Sequence, residues 1–212
     1  MDFIRQMDIA NPAAFQNQSV LLIGAGGIGA ATALCLAKVG FPSITVMDFD
    51  TIEPHNIPNQ FLPNTPGVKK VDGLRDLIEQ LVDTTDATHQ FLDEKVTADT
   101  DLGGYTVIIA AVDSMGMRQE IWDRVMEGAD SAHLFVDARM GADSFQVFTV
   151  DLTAEDAVER YESEYLFPPG ESIEVPCTMR ATMYLSMVSA GFITKAISDV
   201  FDKLKGSHPA EV

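Results

Sequence analysis

Two acids, a lysine and a run of glycines carry the chemistry that this chain offers. Asp48 ends the apolar run Ile44-Thr45-Val46-Met47, and Asp113 ends the stretch from Tyr105 to Val112. An acid at the carboxyl end of a strand can accept hydrogen bonds from ribose hydroxyls, whether the adenosine belongs to ATP or to NAD. A carboxylate such as Asp113 suits Mg²⁺, which prefers hard oxygen ligands. Lys70 opens an amphipathic stretch, and a lysine aimed at a phosphate loop supplies the cation that a reacting triphosphate needs. Asp50, Asn56 and Gln60 lie between these groups in the chain. The glycines are Gly24, Gly26, Gly27 and Gly29, directly after Val20-Leu21-Leu22-Ile23. Strand, glycine turn and helix in that order point backbone N–H groups at a phosphate. The glycine pattern alone fits a nicotinamide or flavin enzyme as well as an ATP enzyme. Lys70 and Asp113 tilt the reading toward ATP.

The elements that must hold these residues are legible in outline. Ala30 to Ala37 reads as the helix leaving the glycine turn, stopped by Gly40 and Pro42. Residues 51–67 hold Pro54, Pro58, Pro63 and Pro66 and read as a long ordered loop over the site. Helical periodicity resumes at Val71, Leu74, Leu77, Ile78 and Leu81. A weak strand is expected near His89–Leu92, a strong one from Tyr105 to Val112, a helix over 115–128 and a buried strand at Leu134–Asp137. Ser144 to Val150 alternates as an antiparallel strand with one exposed face does. A long helix follows from about 178 to 204. This order predicts an α/β fold: a three-layer Rossmann-like sandwich around a mainly parallel sheet with late antiparallel strands. Residues 1–212 read as a single domain, with an N-terminal arm at 1–19, an acidic Pro-rich loop region at 151–176 and a frayed tail at 206–212.

Composition narrows the function. The chain has 212 residues, 46% of them hydrophobic, enough for one sizeable core. Only 14 Lys and Arg face 32 Asp and Glu, a net charge of −18, which argues against nucleic acid as a partner. Neither a secretory signal nor a membrane span is legible, so a soluble, cytoplasmic protein is expected. Two cysteines make no disulfide framework, and no CxxC pair exists to hold zinc. Cys35 sits among Leu34, Leu36 and Ala37 as core packing; Cys177, beside Pro176 and near Arg180, stands where a thiolate would be favoured. Asp137 and Arg139 read as a structural ion pair, and Arg118 as a residue able to orient Asp113.

Arg5-Gln6, GAGGIG at 24–29, Asp48-Phe49-Asp50, Glu53 to Gln60, Gly67-Val68-Lys69-Lys70-Val71, Val112-Asp113-Ser114 and Arg118 occur in one order. Together they resemble the ThiF/MoeB family, bacterial relatives of ubiquitin-activating enzymes, from about residue 5 to residue 200. The resemblance implies an ATP-dependent adenylyltransferase. Such an enzyme activates the C-terminal carboxylate of a small ubiquitin-like or sulfur-carrier protein. Asp48 would take the ribose and the four glycines would admit the nucleotide. Asn56, Gln60 and Lys70 would surround the phosphates, with Asp50 beside them, and Asp113 would hold magnesium. Arg5 would enter the site of a neighbouring subunit, making the working unit a homodimer. Cys177 falls where family members place the cysteine that accepts the acyl group or handles sulfur. Two departures stand out: Asn59 occupies the place of the family's arginine, and the zinc-binding cysteine pairs are absent. A NAD- or FAD-dependent oxidoreductase, or an ATP-binding scaffold with weakened catalysis, are the alternatives.

Overall fold

The computed structural model describes residues 1–141, 143–167 and 182–204. Six strands form one sheet: β1 (Ser19–Ile23), β2 (Ser43–Met47), β3 (Gln90–Leu92), β4 (Val107–Ala110), β5 (Leu134–Gly141) and β6 (Ser144–Asp151). Their spatial order is β3-β2-β1-β4-β5-β6. The first five run parallel, and β6 returns antiparallel to β5. The parallel, mostly Val/Ile/Leu strands are buried on both faces by helices, as such strands require. The α/β sandwich and the antiparallel closing strand are thus as the sequence predicts.

Alternation along the strands divides the core in two. Val20, Leu22, Ile44, Val46 and Ile109 face a layer that includes α1 (Gly27–Val39), α2 (Lys70–Leu81) and α5 (Met183–Leu204). Leu21, Ile23, Ile108, Ala110 and Phe135 face α3 (Met115–Gly128) and Tyr161. On that second face Trp122, Phe135 and Tyr161 pack ring against ring, with centroids 4.6–5.6 Å apart, the tilted and edge-on geometries that aromatic quadrupoles favour. On the first face α5 lays Ser186, Ser189 and Ala190, all wholly buried, toward the alanine-rich α1. Small side chains there let two helices approach closely.

The region 151–176 is not a continuous loop. α4 (Glu155–Arg160) runs into a π-helical turn at Tyr161–Tyr165. Glu155 and Asp156 in the first turn and Arg160 in the last complement the helix dipole, and Tyr161 anchors the segment in the core. Residues 168–176 and the expected tail at 206–212 lie outside the described residues. The arm at 1–19 forms turns and one 3₁₀ turn, Pro12–Ala14, before β1 begins at Ser19. The proline loop also holds a 3₁₀ turn, Pro54–Asn56.

Candidate functional site

The parallel register puts Met47, Ile23, Ala110 and Asp137 in one row across the carboxyl edge of the sheet. The chain leaves β1 for β2 on one side, while β4 flanks β1 on the other, so a crevice opens at this topological switch point. The glycine turn follows Ile23, Asp48 follows Met47, and Asp113 comes three residues after Ala110, all at this edge of the sheet. β2 and β4 flank β1, so Asp48 and Asp113 enter from strands ~10 Å apart.

The glycine turn is tight because backbone packs on backbone. Gly24 has φ +103°, and a Cβ there would lie 2.5 Å from the Ala111 carbonyl oxygen. A Cβ on Gly29 would meet the Gly24 carbonyl at 1.9 Å. These contacts also tie the turn to the segment 111–113 that carries the second acid. Gly26 is different: a Cβ there would meet nothing within 4 Å. Gly26 caps α1 without a side-chain hydrogen bond. The first N–H groups of α1 thus open on empty space, a cradle of the kind that takes phosphate.

Asp48 is nearly buried. Its Oδ2 accepts from Ala25 N at 2.6 Å, and its Oδ1 accepts from Asp50 N at 2.8 Å. The carboxylate therefore clamps the end of β2 to the glycine turn, and each oxygen keeps a second lone pair for a ligand. Asp50 accepts from Lys70 Nζ at 2.7 Å, and Lys70 N donates to the Asp50 carbonyl at 2.9 Å. The Lys70 side chain is only 9% exposed while Asp50 is half exposed. The structure thus brings Lys70, Asp50, Asp48 and the glycine turn into one chain of contacts. Asp113 is exposed, and among the described residues it has no ion-pair partner.

The proline loop closes on itself at its base. Thr51 bridges to Lys69, and Ile52 N donates to Val68 O at 2.8 Å. Glu53 and Asn56 cap each other, with Asn56 Oδ1 accepting from Glu53 N at 2.9 Å. The Asn56 carbonyl oxygen is spent on the loop, so its amide N–H groups remain for a ligand. Asn59 Oδ1 and Gln60 Oε1 are buried acceptors without a partner among the described residues. Buried polar atoms are almost always satisfied, so this pair marks a place where a donor or cation is missing. Gly26 and these two oxygens fit a phosphate-bearing ligand with its counter-ion; among the described residues no cluster of three metal-ligating side chains occurs.

Arg118 is buried, and it does not touch Asp113. Its Nε donates to Asp137 Oδ1 at 2.7 Å, and its two terminal nitrogens donate to Ala138 O and Ser114 O at 2.9 and 3.3 Å. Ser114 follows Asp113 and caps α3, so Arg118 holds the turn and not the acid itself. Asp137, fully buried, also accepts from Arg139 Nε at 2.7 Å and from Tyr161 OH at 2.9 Å. Burial, and next the adjacent Asp137 charge, push the Tyr161 phenol well above its ordinary range. The Asp137–Arg139 pair is structural, as the sequence suggests. The inclusion of Arg118 and Tyr161 was not legible, because nothing local links positions 118, 137 and 161. Ser186 was missed too, although its i, i+3 spacing with Ser189 on an apolar helix was a usable signal.

Arg5 is exposed at the far end of α1. Its neighbour Gln6 donates to Val39 O at 2.7 Å, and Phe3 packs on Gly40, which ends that helix. Thirteen residues of α1 separate that end from the glycine turn by ~20 Å, so Arg5 does not reach the site of its own chain. Cys177 lies outside the described residues. Cys35 is half-buried, and desolvation pushes its thiol up, in keeping with packing and not catalysis. Trp122 is buried, whereas Met126, one turn on, is 49% exposed.

The model of the ThiF family matches residues 4–196. Molybdopterin-synthase adenylyltransferase of Salmonella typhimurium is 27% identical over 123 residues, covering 56% of this chain and 49% of that protein. Adenylyltransferase and sulfurtransferase MOCS3 of Culex quinquefasciatus is 30% identical over 118 residues, 54% of this chain and 27% of that one. The chain thus matches about a quarter to a half of the length of these curated relatives. The E. coli tRNA N6-threonylcarbamoyladenosine dehydratase TcdA, solved in complex with ATP, superposes with a TM-score of 0.65 at 18% identity, over 98% of this chain and 96% of that one. That likeness concerns the fold. With the glycine turn, the clamped Asp48, the Lys70–Asp50 pair and the Asp113 turn gathered at one sheet edge, the family match over nearly the whole length is decisive: this chain belongs to the ThiF family.

Proposed function

We propose that this chain is an ATP-dependent adenylyltransferase that activates the C-terminal carboxylate of a small ubiquitin-like or sulfur-carrier protein. The observation that supports the reading is the chain of contacts from Lys70 through Asp50 and Asp48 to the glycine turn, with Asp113 after the neighbouring strand. Relatives named as adenylyltransferases support the same reaction class, and a relative named NEDD8-activating enzyme, from Caenorhabditis elegans, supports the partner class. The adenosine ribose binds Asp48 through the lone pairs that its backbone clamp leaves free. The phosphates lie over Gly26 and the first turn of α1, with Asn56 and Gln60 above them. Lys70 stabilises charge on the α-phosphate, and Asp113 holds Mg²⁺, which when bound neutralises the phosphate oxygens. A carboxylate oxygen of the acceptor attacks the α-phosphorus, the bridging P–O bond breaks and pyrophosphate leaves, giving an acyl-adenylate. Transfer to Cys177 would form a thioester and release AMP.

Arg5 serves the site of a second copy in a homodimer. The exposed apolar side chains Ile4, Met7 and Ile9 of the arm, and Tyr184, Met187, Val188 and Phe192 of α5, support such a partner surface. No helix among the described residues is long and apolar enough to cross a membrane. No zinc is required by this reading, and nucleic acid is not a partner on charge grounds.

ATP–pyrophosphate exchange tests the assignment. Lys70→Ala and Asp113→Ala are expected to lower exchange by about 10²-fold or more, the scale of losing one preorganised charge, while circular dichroism stays that of the parent. Normal exchange in both variants rejects the assignment. Binding of Mg·ATP without exchange in the parent protein, given its carrier, selects the scaffold reading.

A further inference from the structure

The Ser186 side chain joins α5 to the nucleotide crevice across 127 residues of sequence. Its hydroxyl lies 3.3 Å from Asn59 O and 3.2 Å from Thr182 O. Thr182 O already accepts the backbone N–H of Ser186 at 3.1 Å. Asn59 O has no other donor among the described residues. A serine has one proton to give, and an unmet buried carbonyl costs more than a doubly met one gains. The proton therefore belongs on Asn59 O. The same hydroxyl would lie 2.7 Å from a Cβ on Gly27, with Asn59 O at 3.2 Å from that Cβ. Ser186, the Asn59 backbone and the first residue of α1 thus meet at one point, and Ser186 is fully buried there.

We propose that Ser186 is a positioning residue that latches the 56–62 segment of the proline loop onto the start of α1. In this way it sets the grip of Asn56 and Gln60 on the nucleotide. Ser186 lies in the first turn of α5, a few residues after the segment that contains Cys177. This deepens the adenylyltransferase reading and rests on it for the ligand, though the latch itself rests on the contacts alone.

The test uses the full chain and two variants, Ser186→Ala, which deletes the donor, and Ser186→Cys, which keeps volume with a weak donor. Hydrogen exchange of the 56–62 amides is expected to quicken roughly three- to ten-fold in Ser186→Ala and less in Ser186→Cys, the worth of one hydrogen bond read as local opening. Amides of β1 should exchange at the parent rate, which a general loss of stability would not allow. Mg·ATP affinity by calorimetry should fall by a similar factor. Unchanged exchange in 56–62 overturns the latch, as does faster exchange spread equally over β1. If Ser186→Ala does not fold, Ser186→Cys decides by the same two readings. If the parent protein binds no Mg·ATP, the adenylyltransferase reading fails, and the exchange arm still judges the latch by itself.

Discussion

Removing the charge on Asp137 is the most demanding test of how this site is held. Asp137 is fully buried and takes donors from Arg118, Arg139 and Tyr161. The Arg118 and Arg139 side chains are 5% and 13% exposed, so neither guanidinium has much water to fall back on. Asp137→Asn preserves the shape but leaves two buried cations without a counter-charge and turns an amide N–H₂ toward donors. Breaking such a buried pair costs ~3–5 kcal/mol. For a chain of this length each kcal/mol moves Tm by ~2–4 °C, so calorimetry should record a fall of about 6–20 °C. The exposed pair Lys195–Asp199, with side chains 64% and 42% exposed, is the control: Lys195→Met should cost ~0.5 kcal/mol or less. A fall in Tm of less than about 2 °C for Asp137→Asn, on the same conversion, refutes the claim that this network anchors β5 to α3 and the Tyr161 turn.

Two further outcomes follow from the same contacts. Ultraviolet titration of the four tyrosines should find Tyr161 un-ionised when the exposed ones have titrated. Because its folded pKa is raised, its contribution to stability is complete below about pH 10 and is lost as pH rises past that unfolded value. Tyr161→Phe should therefore flatten the alkaline loss of Tm, and an unchanged alkaline limb counts against the buried phenol–carboxylate bond. The glycines give a contrasting pair: Gly24→Ala meets Ala111 O and a positive φ, so it should lose ~1–2 kcal/mol or more of stability. Gly26→Ala should keep its Tm and lose nucleotide affinity in a thermal-shift titration; undiminished affinity would place the phosphates elsewhere.

The frame of the fold was legible because it is written locally. Buried parallel strands appear as Val/Ile/Leu runs, α1 and α3 start and stop at glycine and capping signals, and α2 shows itself by its apolar periodicity. The placement of the glycine turn, Asp48 and Asp113 just after β1, β2 and β4 was legible for the same reason. α4 was not read because Pro-Gly and dense acid over 151–176 mimic a loop; the charges that complement its dipole were the overlooked clue. The Asp137 network and the Ser186 latch are tertiary facts. Arg118 on α3 finds Asp137 only once β5 lies beside β4, and Ser186 finds Asn59 only once α5 packs on α1. Sequence spacing could nominate these residues as buried polar groups but not choose their partners.

The charge around the crevice gives the last step of the argument. Lys70 and Lys69, the latter bonded to Phe49 O and paired with Asp93, stand beside three carboxylates, Asp48, Asp50 and Asp113, within a chain of net charge −18. Asn59 adds no charge where the family carries an arginine, and Lys70 is already engaged by Asp50. A triphosphate brought alone into this field would be repelled. Under the proposed function, two sources of positive charge would answer this: a divalent cation at the exposed Asp113, and Arg5 from a second copy, since Arg5 lies ~20 Å from its own crevice. On the proposed reading, a metal and a partner copy would supply the charge that Asn59 does not.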